Sequence, residues 1–373
     1  MAASRLTHLQ SQLPGMVDTL AALVTAESSS DSPEGLQACA GVLSSLLTET
    51  LGSPPSHVVV DGNTHLLWNS GPANRVVLVG HYDTVWPMGT LARWPFTVDG
   101  DRATGPGAFD MKAGIVQMLT ALASLDDLDG VCVLLTADEE LGSLTSRALI
   151  EDTSRGARAA LVLEPSAGGA LKNARKGTGM YTLQVNGRAS HAGLEPEKGV
   201  NALLGLAEVV LAASTLGRAD VGTTVTPTVA AAGTATNVVP ALATAELDVR
   251  VWVPEEADRV DADVRALRTT LPGASLVVTG GPNRPPMPER SCAELTSRAM
   301  ACASRLGIGP LRAVGVGGGS DGNFTAAVGT PTLDGLGAVG DGAHAEGEYV
   351  VLGAMPERAA LLAELIEDVL ADR

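Results

Sequence analysis

The chain has 373 residues, of which 45% are hydrophobic, so it is long and apolar enough for two domains that each bury a core. Only 3% of the residues are aromatic, and these cores must therefore be built mainly from Leu, Val, Ala and Ile. A net charge of −17 argues against nucleic acid and anionic membranes as partners, because binding phosphate groups requires a basic surface.

The first part of the chain alternates between helical and strand patterns. Apolar residues at helical spacing predict helices, and short continuous apolar runs predict strands that are buried on both faces. Such strands separated by helices are typical of an α/β fold with a mostly parallel sheet and helices on both faces. In chain order we predict helices over 6–24 and 34–51, a hairpin of strands 58–60 and 66–68, a strand over 76–79, a helix over 111–125, a strand over 131–135, a helix over 144–150 and a strand over 160–163.

The pattern changes after Gly177. The predicted order becomes strand, helix, strand, strand, helix, strand, which is that of a ferredoxin-like α+β unit with one antiparallel sheet. The run 280–286 is rich in Gly and Pro and is interpreted as a linker, after which α/β character resumes. We therefore expect an inserted domain over 178–286 within a larger domain formed by 1–177 and 287–373. The predicted elements of the insert are 181–185, 200–213, 223–231, 244–253, 260–271 and 274–278.

Cysteine spacing and the N-terminal sequence indicate the expected cellular compartment. No cysteines form a CxxC pair, which favours buried apolar side chains over a disulfide framework or a cysteine zinc site. No basic segment followed by an apolar run opens the sequence, and no 18 consecutive residues are all apolar. We therefore expect neither a signal peptide nor a membrane span, and a cytoplasmic location. The cysteines are Cys39, Cys132, Cys292 and Cys302.

Side chains able to bind a metal follow several of the predicted strands. Glu139 and Glu140 come shortly after the strand over 131–135, at the edge where open α/β sheets bind ligands. Adjacent carboxylates repel each other, but metal chemistry can use both, one as a ligand and one for proton transfer. Further candidates in comparable positions are His81, Asp83, Asp110, Glu164 and His344.

Each candidate also has an ordinary structural interpretation when it is taken alone. His81 could cap a strand end, Asp110 could be a helix N-cap, and Glu164 could be a solvated loop acid. Their joint placement at strand ends favours a shared site, and His nitrogens with carboxylate oxygens suit zinc with an open position for water. Asp83, which points the same way as His81 on an extended segment, would hold the imidazole from behind.

Four motifs resemble, in chain order, those of the dinuclear zinc family that contains glutamate carboxypeptidase (carboxypeptidase G), aminoacylase and acetylornithine deacetylase. The similarity extends over nearly the whole chain and looks closest to bacterial glutamate carboxypeptidase. Residues 317–321, His344 and 348–350 of this chain also resemble the C-terminal half of that enzyme. The four motifs are His81-Tyr82-Asp83-Thr84-Val85, Gly105-Pro106-Gly107-Ala108-Phe109-Asp110-Met111-Lys112, Asp138-Glu139-Glu140-Leu141-Gly142-Ser143 and Leu163-Glu164-Pro165.

The resemblance implies a role for each residue of the candidate site. Two Zn²⁺ ions per chain, for which Co²⁺ or Mn²⁺ could substitute, would share Asp110 as a bridging ligand. Glu139 would be the general base and acid, Asp83 would support His81, and the Asp110–Met111 peptide bond would be cis. The remaining ligands would be His81 and Glu164 for one ion and Glu140 and His344 for the other.

The same resemblance assigns substrate contacts to the inserted domain. His191 would reach toward the oxyanion, often across a dimer interface, so we expect a homodimer through this domain. Arg side chains bind carboxylates through two parallel hydrogen bonds, and a Gly loop can present backbone N–H groups. Domain closure would use hinges near Gly177 and Gly281. The candidate substrate-binding residues are Asn237, Arg250, Arg284, Gly318 and Gly319.

These observations predict a zinc-dependent hydrolase that cleaves an amide bond next to a free carboxylate. A glutamate-type carboxypeptidase acting on a small molecule or short peptide is the leading hypothesis. An aminoacylase-like N-acyl amino acid deacylase fits the same residues, since its product also carries an amino acid carboxylate. A binding protein that kept the fold and lost catalysis is the alternative from another class, and the intact set of predicted ligands together with Glu139 argues against it.

Overall fold

The chain divides into two units in the computed structural model, which describes residues 2–371. Within these residues the first unit comprises the segment that ends at Ala174, then Glu289–Val316 and the segment that begins at Ser320. The second unit comprises Arg175–Pro288 and the tripeptide Gly317–Gly319.

Helices and strands alternate along both units. The α-helices within residues 2–371 are α1 (Ala2–Ser11), α2 (Leu13–Thr25), α3 (Pro33–Leu51), α4 (Ala113–Ala123), α5 (Arg147–Ser154), α6 (Ala202–Ser214), α7 (Pro254–Ala266), α8 (Ala293–Leu306), α9 (Gly322–Ala327) and α10 (Ala354–Ala371). The β-strands of the same residues are β1 (Ser56–Val60), β2 (Asn63–Asn69), β3 (Val76–His81), β4 (Thr97–Asp99), β5 (Arg102–Thr104), β6 (Val131–Thr136), β7 (Ala159–Val162), β8 (Leu171–Arg175), β9 (Gly177–Asn186), β10 (Thr224–Ala232), β11 (Leu242–Val251), β12 (Ser275–Arg284), β13 (Ala313–Val316), β14 (Thr332–Leu333), β15 (Gly340–Asp341) and β16 (Tyr349–Val351).

The main sheet of the first unit has the strand order β1-β2-β6-β3-β7-β14. Strands β6, β3, β7 and β14 are parallel, and β2 and β1 extend the sheet as an antiparallel hairpin. Every residue of β3 and β6 is buried, because the sheet is covered on both faces. Val76 and Leu78 face the larger apolar cluster, and Val77 and Val79 face the opposite one. The predicted α/β fold with a mostly parallel sheet is confirmed.

Three predicted helices differ clearly in extent from the observed ones, among them the helix predicted over 260–271, which is observed as α7 from Pro254 to Ala266. The helix predicted over 6–24 is divided into α1 and α2 at Gln12, and Pro14 lies in the first turn of α2, where its missing N–H costs no hydrogen bond. Hydrophobic spacing continues through this break and therefore does not reveal it. The helix predicted over 144–150 instead begins at Arg147, because the Thr145 and Ser146 side chains bond to Asp138 and hold a turn.

The second unit has the chain order β9-α6-β10-β11-α7-β12 and one antiparallel sheet with the strand order β10-β11-β9-β12. Residues in β9 and β11 alternate between buried and half-buried, because only one face packs against the apolar cluster of this unit. This arrangement confirms the predicted ferredoxin-like insert.

The interpretation of 280–286 as a linker is wrong. Strand β12 continues to Arg284 and pairs with β9, with a register shift between Pro282 and Arg284. The strand tolerates Gly and Pro here because β12 is an edge strand, where a missing N–H breaks no ladder bond. Gly281 and Gly177 are both paired in this sheet, so neither lies in the flexible loop expected of a hinge.

A bilayer-spanning helix would need about 20 consecutive apolar residues. None of the helices within residues 2–371 has both the length and the apolar character to cross a membrane.

Candidate metal centre

The carboxyl ends of three neighbouring strands carry four of the predicted site residues. His81 is the last residue of β3, which has β6 and β7 parallel to it on either side. Glu139 and Glu140 follow β6 after a two-residue turn, and Glu164 follows β7 after one residue. Because parallel strands end at the same edge of a sheet, these side chains converge.

Asp110 lies between two groups of metal-binding atoms. Its Oδ1 is 3.4 Å from Nε2 of His81, and that nitrogen is also 3.4 Å from Oε1 of Glu164. Its Oδ2 is 3.4 Å from Nε2 of His344, which lies 3.2 Å from Oε2 of Glu140. Within each group the three donor atoms lie within 4.8 Å of one another. The structure thus brings the five predicted ligands together as two triads that share one carboxylate.

Irregular backbone positions the two ligands that do not follow a strand of the main sheet. Asp110 lies in the turn Ala108–Lys112, directly after Gly107 at φ 73°, and the Asp110–Met111 peptide bond is cis, as the resemblance implied. His344 lies between β15 and β16 with φ 64°. A left-handed conformation costs an L-residue roughly 1–2 kcal/mol and is concentrated at functional sites.

Asp83 orients the imidazole of His81 and also holds the loop that carries the adjacent acids. Nδ1 of His81 donates to the backbone carbonyl of Asp83 at 3.0 Å, so Nε2, which faces Asp110, is the nitrogen that would bind a cation. The two carboxylate oxygens of Asp83 accept the backbone N–H groups of Glu139 and Glu140, each at 3.1 Å. One side chain therefore fixes ligands from two strands.

The donor set fits a divalent cation. Asp110 Oδ1 and Glu140 Oε1 are buried and have no hydrogen-bond partner, although buried polar atoms are normally paired. Both oxygens belong to ligand side chains of the triads, where a cation would satisfy them. Two imidazole nitrogens and three carboxylates are the N and O ligands typical of zinc and related metals.

The electrostatics of the two triads also point to a cation. Burial opposes ionisation of Asp110, but the neighbouring imidazoles of His344 and His81 outweigh it and hold its pKa below the ordinary range. The neighbouring carboxylates of Asp110 and Glu140 raise the pKa of His344 to about 11. Burial lowers the pKa of His81, yet the surrounding carboxylates outweigh this effect and raise it well above its usual value. The negative charge that draws protons onto these imidazoles would equally attract a metal, whose binding releases them.

His191 and Asn237 are neighbours in the second unit. Nδ1 of the exposed His191 accepts the backbone N–H groups of Gly193 and Leu194, each at 3.1 Å. The proton of the neutral ring is therefore on Nε2, which can donate a hydrogen bond outward. The backbone carbonyl of Asn237 accepts the N–H of Ala192, so the loops carrying the two predicted residues are joined.

Arg250 and Arg284 lie on the two strands that flank β9, and both are paired with Thr178. Directly opposed residues of an antiparallel sheet project to the same face, so both Arg lie on one face, about 10 Å apart. Arg250 is held by Asp248 at 2.6 Å. Arg284 is 8% exposed.

The glycine loop, which is predicted to present N–H groups to a substrate carboxylate, uses two of its carbonyls in contacts within the protein. The carbonyl oxygens of Gly318 and Gly319 both accept hydrogen bonds from Nη1 of Arg175, each at 3.1 Å. These hydrogen bonds use the carbonyl oxygens of Gly318 and Gly319 and do not involve the N–H groups of the two residues. The contact with Arg175 has no sequence signal, because glycine permits either orientation of the peptide.

Sequence reasoning missed a buried polar network beside Glu139. The carboxylate of Asp138 accepts from the N–H and Oγ1 of Thr145, at 2.6 and 2.8 Å, and from Oγ of Ser146 at 2.6 Å. Nε2 of His65 lies 3.1 Å from Oγ1 of Thr145. The network fixes the turn that carries Glu139 and Glu140. In the sequence, only the position of Asp138 next to Glu139 indicated that this network exists.

Lys172 is a second residue that the sequence did not single out. Its Nζ lies 3.8 Å from Oε2 of Glu164, and its side chain is only 14% exposed. A cation here partly offsets the negative charge of the first triad. A turn separates β8 from Glu164, so spacing alone gave no indication of the contact.

The buried His65 predicts how stability depends on pH. Burial lowers its pKa below the ordinary value of 6.5, and nearby carboxylates only partly offset this effect. The N–H of Ala137 donates to Nδ1 at 3.2 Å, so the folded protein holds the ring neutral. As the pH falls below about 6.5, the unfolded chain binds a proton that the folded chain does not, and the free energy of unfolding decreases.

Urea unfolding between pH 5 and 8, in chelator, should show a steeper loss of stability toward low pH for the wild type than for His65→Gln. The exposed His57→Gln is the matched control and should follow the wild type. Parallel curves for wild type and His65→Gln would show that folding does not lower the pKa of His65.

Comparisons with known proteins agree with the geometry. The profile of peptidase family M20/M25/M40 matches residues 77–368. Carboxypeptidase G2 of Pseudomonas sp. (strain RS-16) is 34% identical over 372 residues, which cover 95% of this chain and 89% of that protein. Succinyl-diaminopimelate desuccinylase of Cereibacter sphaeroides (strain KD131 / KCTC 12085) is 28% identical over 349 residues, covering 83% and 87%.

A solved structure shows the same fold. The M20 family metallo-carboxypeptidase Sso-CP2 from Sulfolobus solfataricus aligns with a TM-score of 0.78 over 94% of this chain and 98% of that one. The two sequences are 17% identical, so this likeness concerns the fold alone.

Proposed function

Because the chain belongs to peptidase family M20/M25/M40 and is a metallopeptidase or amidohydrolase, we propose a specific reaction for it. We propose that it is a dinuclear zinc carboxypeptidase that removes a C-terminal glutamate-type residue. The observation that carries the proposal is that Asp110 is shared by two ligand triads while Glu139 lies beside the ligand Glu140. The similarity to carboxypeptidase G2 supports the choice of reaction.

The chain's own residues would divide the work of hydrolysis. His81, Asp110 and Glu164 would hold one cation, and His344 and Glu140 would complete the site of the other with Asp110. Bound divalent cations supply Lewis acidity and make water more acidic near neutral pH. Glu139 belongs to neither triad and is 9% exposed, and its backbone is fixed by Asp83. Its carboxylate would accept a proton from water and return it to the leaving amine.

Substrate recognition would fall to the second unit. The outward Nε2–H of His191 suits a hydrogen bond to the developing oxyanion. Arg250 and Arg284, on one face of the sheet, suit a substrate carboxylate, because guanidinium groups bind carboxylates with two parallel hydrogen bonds. Asn237, on the loop joined to that of His191, would contribute a further polar contact.

A second candidate function is hydrolysis of an N-acyl amino acid, with the amino acid as product. Several similar proteins are named succinyl-diaminopimelate desuccinylase, which favours this candidate. The two functions differ in the acyl group and in the released amino acid, so substrate profiling separates them.

Metal removal tests the proposed function. The purified protein should hydrolyse N-acyl-L-glutamate, lose at least about 100-fold in kcat/KM after dialysis against a chelator, and recover with Zn²⁺, because the cation supplies the acidic water. Rates are compared across substrates that share one acyl group and end in Glu, Asp, Ala or Lys. Chelator-resistant hydrolysis, or no preference for Glu, would contradict the proposal.

We also propose that the protein is a homodimer through the second unit. Helix α6 exposes Leu203, Leu204 and Leu211 at 47%, 61% and 70%, an apolar surface that a monomer would leave in water. Light scattering should give the mass of two chains, and the double variant Leu204→Glu, Leu211→Glu should give that of one. Leu144→Glu, which changes a 73% exposed leucine in the first unit, is the control and should keep the dimer. A monomeric wild type would reject the proposal.

A further inference from the structure

The segment that carries Glu139 has little regular structure of its own. It begins at Thr136, the last residue of β6, and ends at Ser143, and we call it the base segment. It contains one short 3₁₀ turn, Glu139–Leu141. Ser143 has φ 58°, a left-handed conformation that L-residues rarely adopt and that persists only where the surroundings fix it. Contacts from outside must therefore hold the end of the base segment.

The carboxylate of Asp321 accepts a hydrogen bond from each end of the base segment. Oγ1 of Thr136 donates to its Oδ2 at 2.9 Å, and Oγ of Ser143 donates to its Oδ1. All three side chains are buried. Hydrogen bonds to an ionised acceptor are roughly twice as strong as those between neutral groups. One side chain thus links the two residues between which Glu139 lies, and it holds Ser143 in its left-handed conformation.

Asp321 is itself held firmly by its neighbours in the chain. The backbone N–H of Ser320 donates to Oδ1 of Asn323 at 2.9 Å, and its Oγ donates to Oδ2 of Asp334 at 2.6 Å. The carbonyl of Asp321 accepts the N–H of Phe324 at 3.0 Å. These contacts fix the backbone on both sides of the carboxylate, so Asp321 can act as an anchor for the base segment.

Asp321 and Asp83 hold different parts of the base segment. Asp83 accepts the backbone N–H groups of Glu139 and Glu140 in the middle, whereas Asp321 binds the two ends. A cation bound by the triads would restrain Glu140 directly, but Glu139 belongs to neither triad. The position of the Glu139 carboxylate therefore depends on how well the backbone of the base segment is fixed.

We propose that Asp321 is a positioning residue for the general base. Through Ser143 and Thr136 it sets the backbone of the base segment so that the carboxylate of Glu139 faces the reacting water. The inference rests on the proposed function, because it concerns the same reaction. Since a displacement of about 1 Å can lower a rate about a hundredfold, a loss of this anchor should lower kcat and leave substrate binding unchanged.

The variant Ser143→Ala tests the anchor with the smallest change. It should lower kcat about tenfold and leave KM and metal content within about twofold, because Thr136 and Asp83 still limit the movement of Glu139. Asp321→Ala should lower kcat at least as much, and adding Ser143→Ala to it should lower kcat no further, since the hydroxyl has already lost its acceptor. A kcat of Ser143→Ala within about twofold of the wild type would overturn the proposal.

A second comparison distinguishes positioning of the base from a general structural role. In a Glu139→Gln background, Ser143→Ala should change the single-turnover rate by less than about twofold, because the carboxylate that the anchor positions has been removed. An equal loss with and without Glu139 would show that the hydrogen bond acts on another part of the site and would overturn the proposal.

The matched control is Thr330→Val, in the same unit. Oγ1 of the buried Thr330 donates to the carbonyl of Ser154 at 2.6 Å, and Thr330 precedes β14, at the edge of the sheet opposite the metal centre. This variant also loses one buried hydrogen bond, so it should be less stable to heat but keep the wild-type kcat. A tenfold loss of kcat here as well would assign the effect of Ser143→Ala to destabilisation and overturn the proposal.

Hydrogen–deuterium exchange separates this inference from the proposed function. The backbone amides of 137–142 should exchange about tenfold faster in Ser143→Ala than in the wild type and should be unaffected in Thr330→Val. If the wild type hydrolyses no amide, the proposed function fails and exchange alone decides the inference. Faster exchange in Ser143→Ala would then support the anchor, and unchanged exchange would overturn it.

Discussion

Replacing Glu139 with Gln is expected to lower kcat by about 10²–10⁴-fold while bound metal and thermal stability remain those of the wild type. Gln has nearly the same shape as Glu but cannot accept a proton. The side chain belongs to neither triad, and the hydrogen bond from its backbone N–H to Asp83 is unaffected by the change. Steady-state kinetics and elemental analysis of the same preparation measure both quantities.

The matched control is Glu151→Gln, which removes a carboxylate on α5 that pairs with Arg147. It should leave kcat within about twofold, since exposed ion pairs contribute little. A Glu139→Gln enzyme with more than a tenth of the wild-type kcat would assign proton transfer to another group. Loss of metal from this variant would instead identify Glu139 as a ligand.

Asp110→Asn is expected to remove metal from both triads and to abolish activity. Each carboxylate oxygen of Asp110 faces a different histidine. The substitution by Asn would replace one of these oxygens with an NH₂ group, which repels a cation. The lost negative charge also weakens both sites. Elemental analysis after dialysis should give well under half of the wild-type metal content.

The variant His344→Ala removes a predicted ligand that belongs to one triad only, whereas Asp110 belongs to both. It leaves the triad of His81, Asp110 and Glu164 complete, so the variant should retain about half of the bound metal. Full metal content in Asp110→Asn, or equal losses in the two variants, would show that Asp110 does not bridge two ions.

The strands and the ligands that follow them could be predicted because both depend on local sequence patterns. Apolar runs identify buried strands, and parallel strands end at the same edge, so His81, Glu140 and Glu164 were expected to be neighbours. The position of Asp110 between the two triads was expected from the resemblance alone, because no spacing rule specifies which carboxylate two groups of ligands would share.

The polar network beside Glu139 could not be predicted because its members are far apart in sequence. His65 and Thr145 are 80 residues apart, and each is a single polar residue without a motif. The prediction of a linker over 280–286, where β12 continues to Arg284, failed for a different reason. Pro282 is a turn signal in most contexts, but an edge strand with a register shift accepts it, and edge position is a property of the whole sheet.

The contact between Arg175 and the glycine tripeptide restricts how this insert could have been exchanged during evolution. Gly317–Gly319 is grouped with the second unit although it is separated from Pro288 by 28 residues of the first. A gene fragment encoding only 175–288 would lack the two carbonyls that bond to Arg175. Recombination that transfers the insert into another host protein therefore has to carry the distant tripeptide as well, or supply new acceptors for the guanidinium.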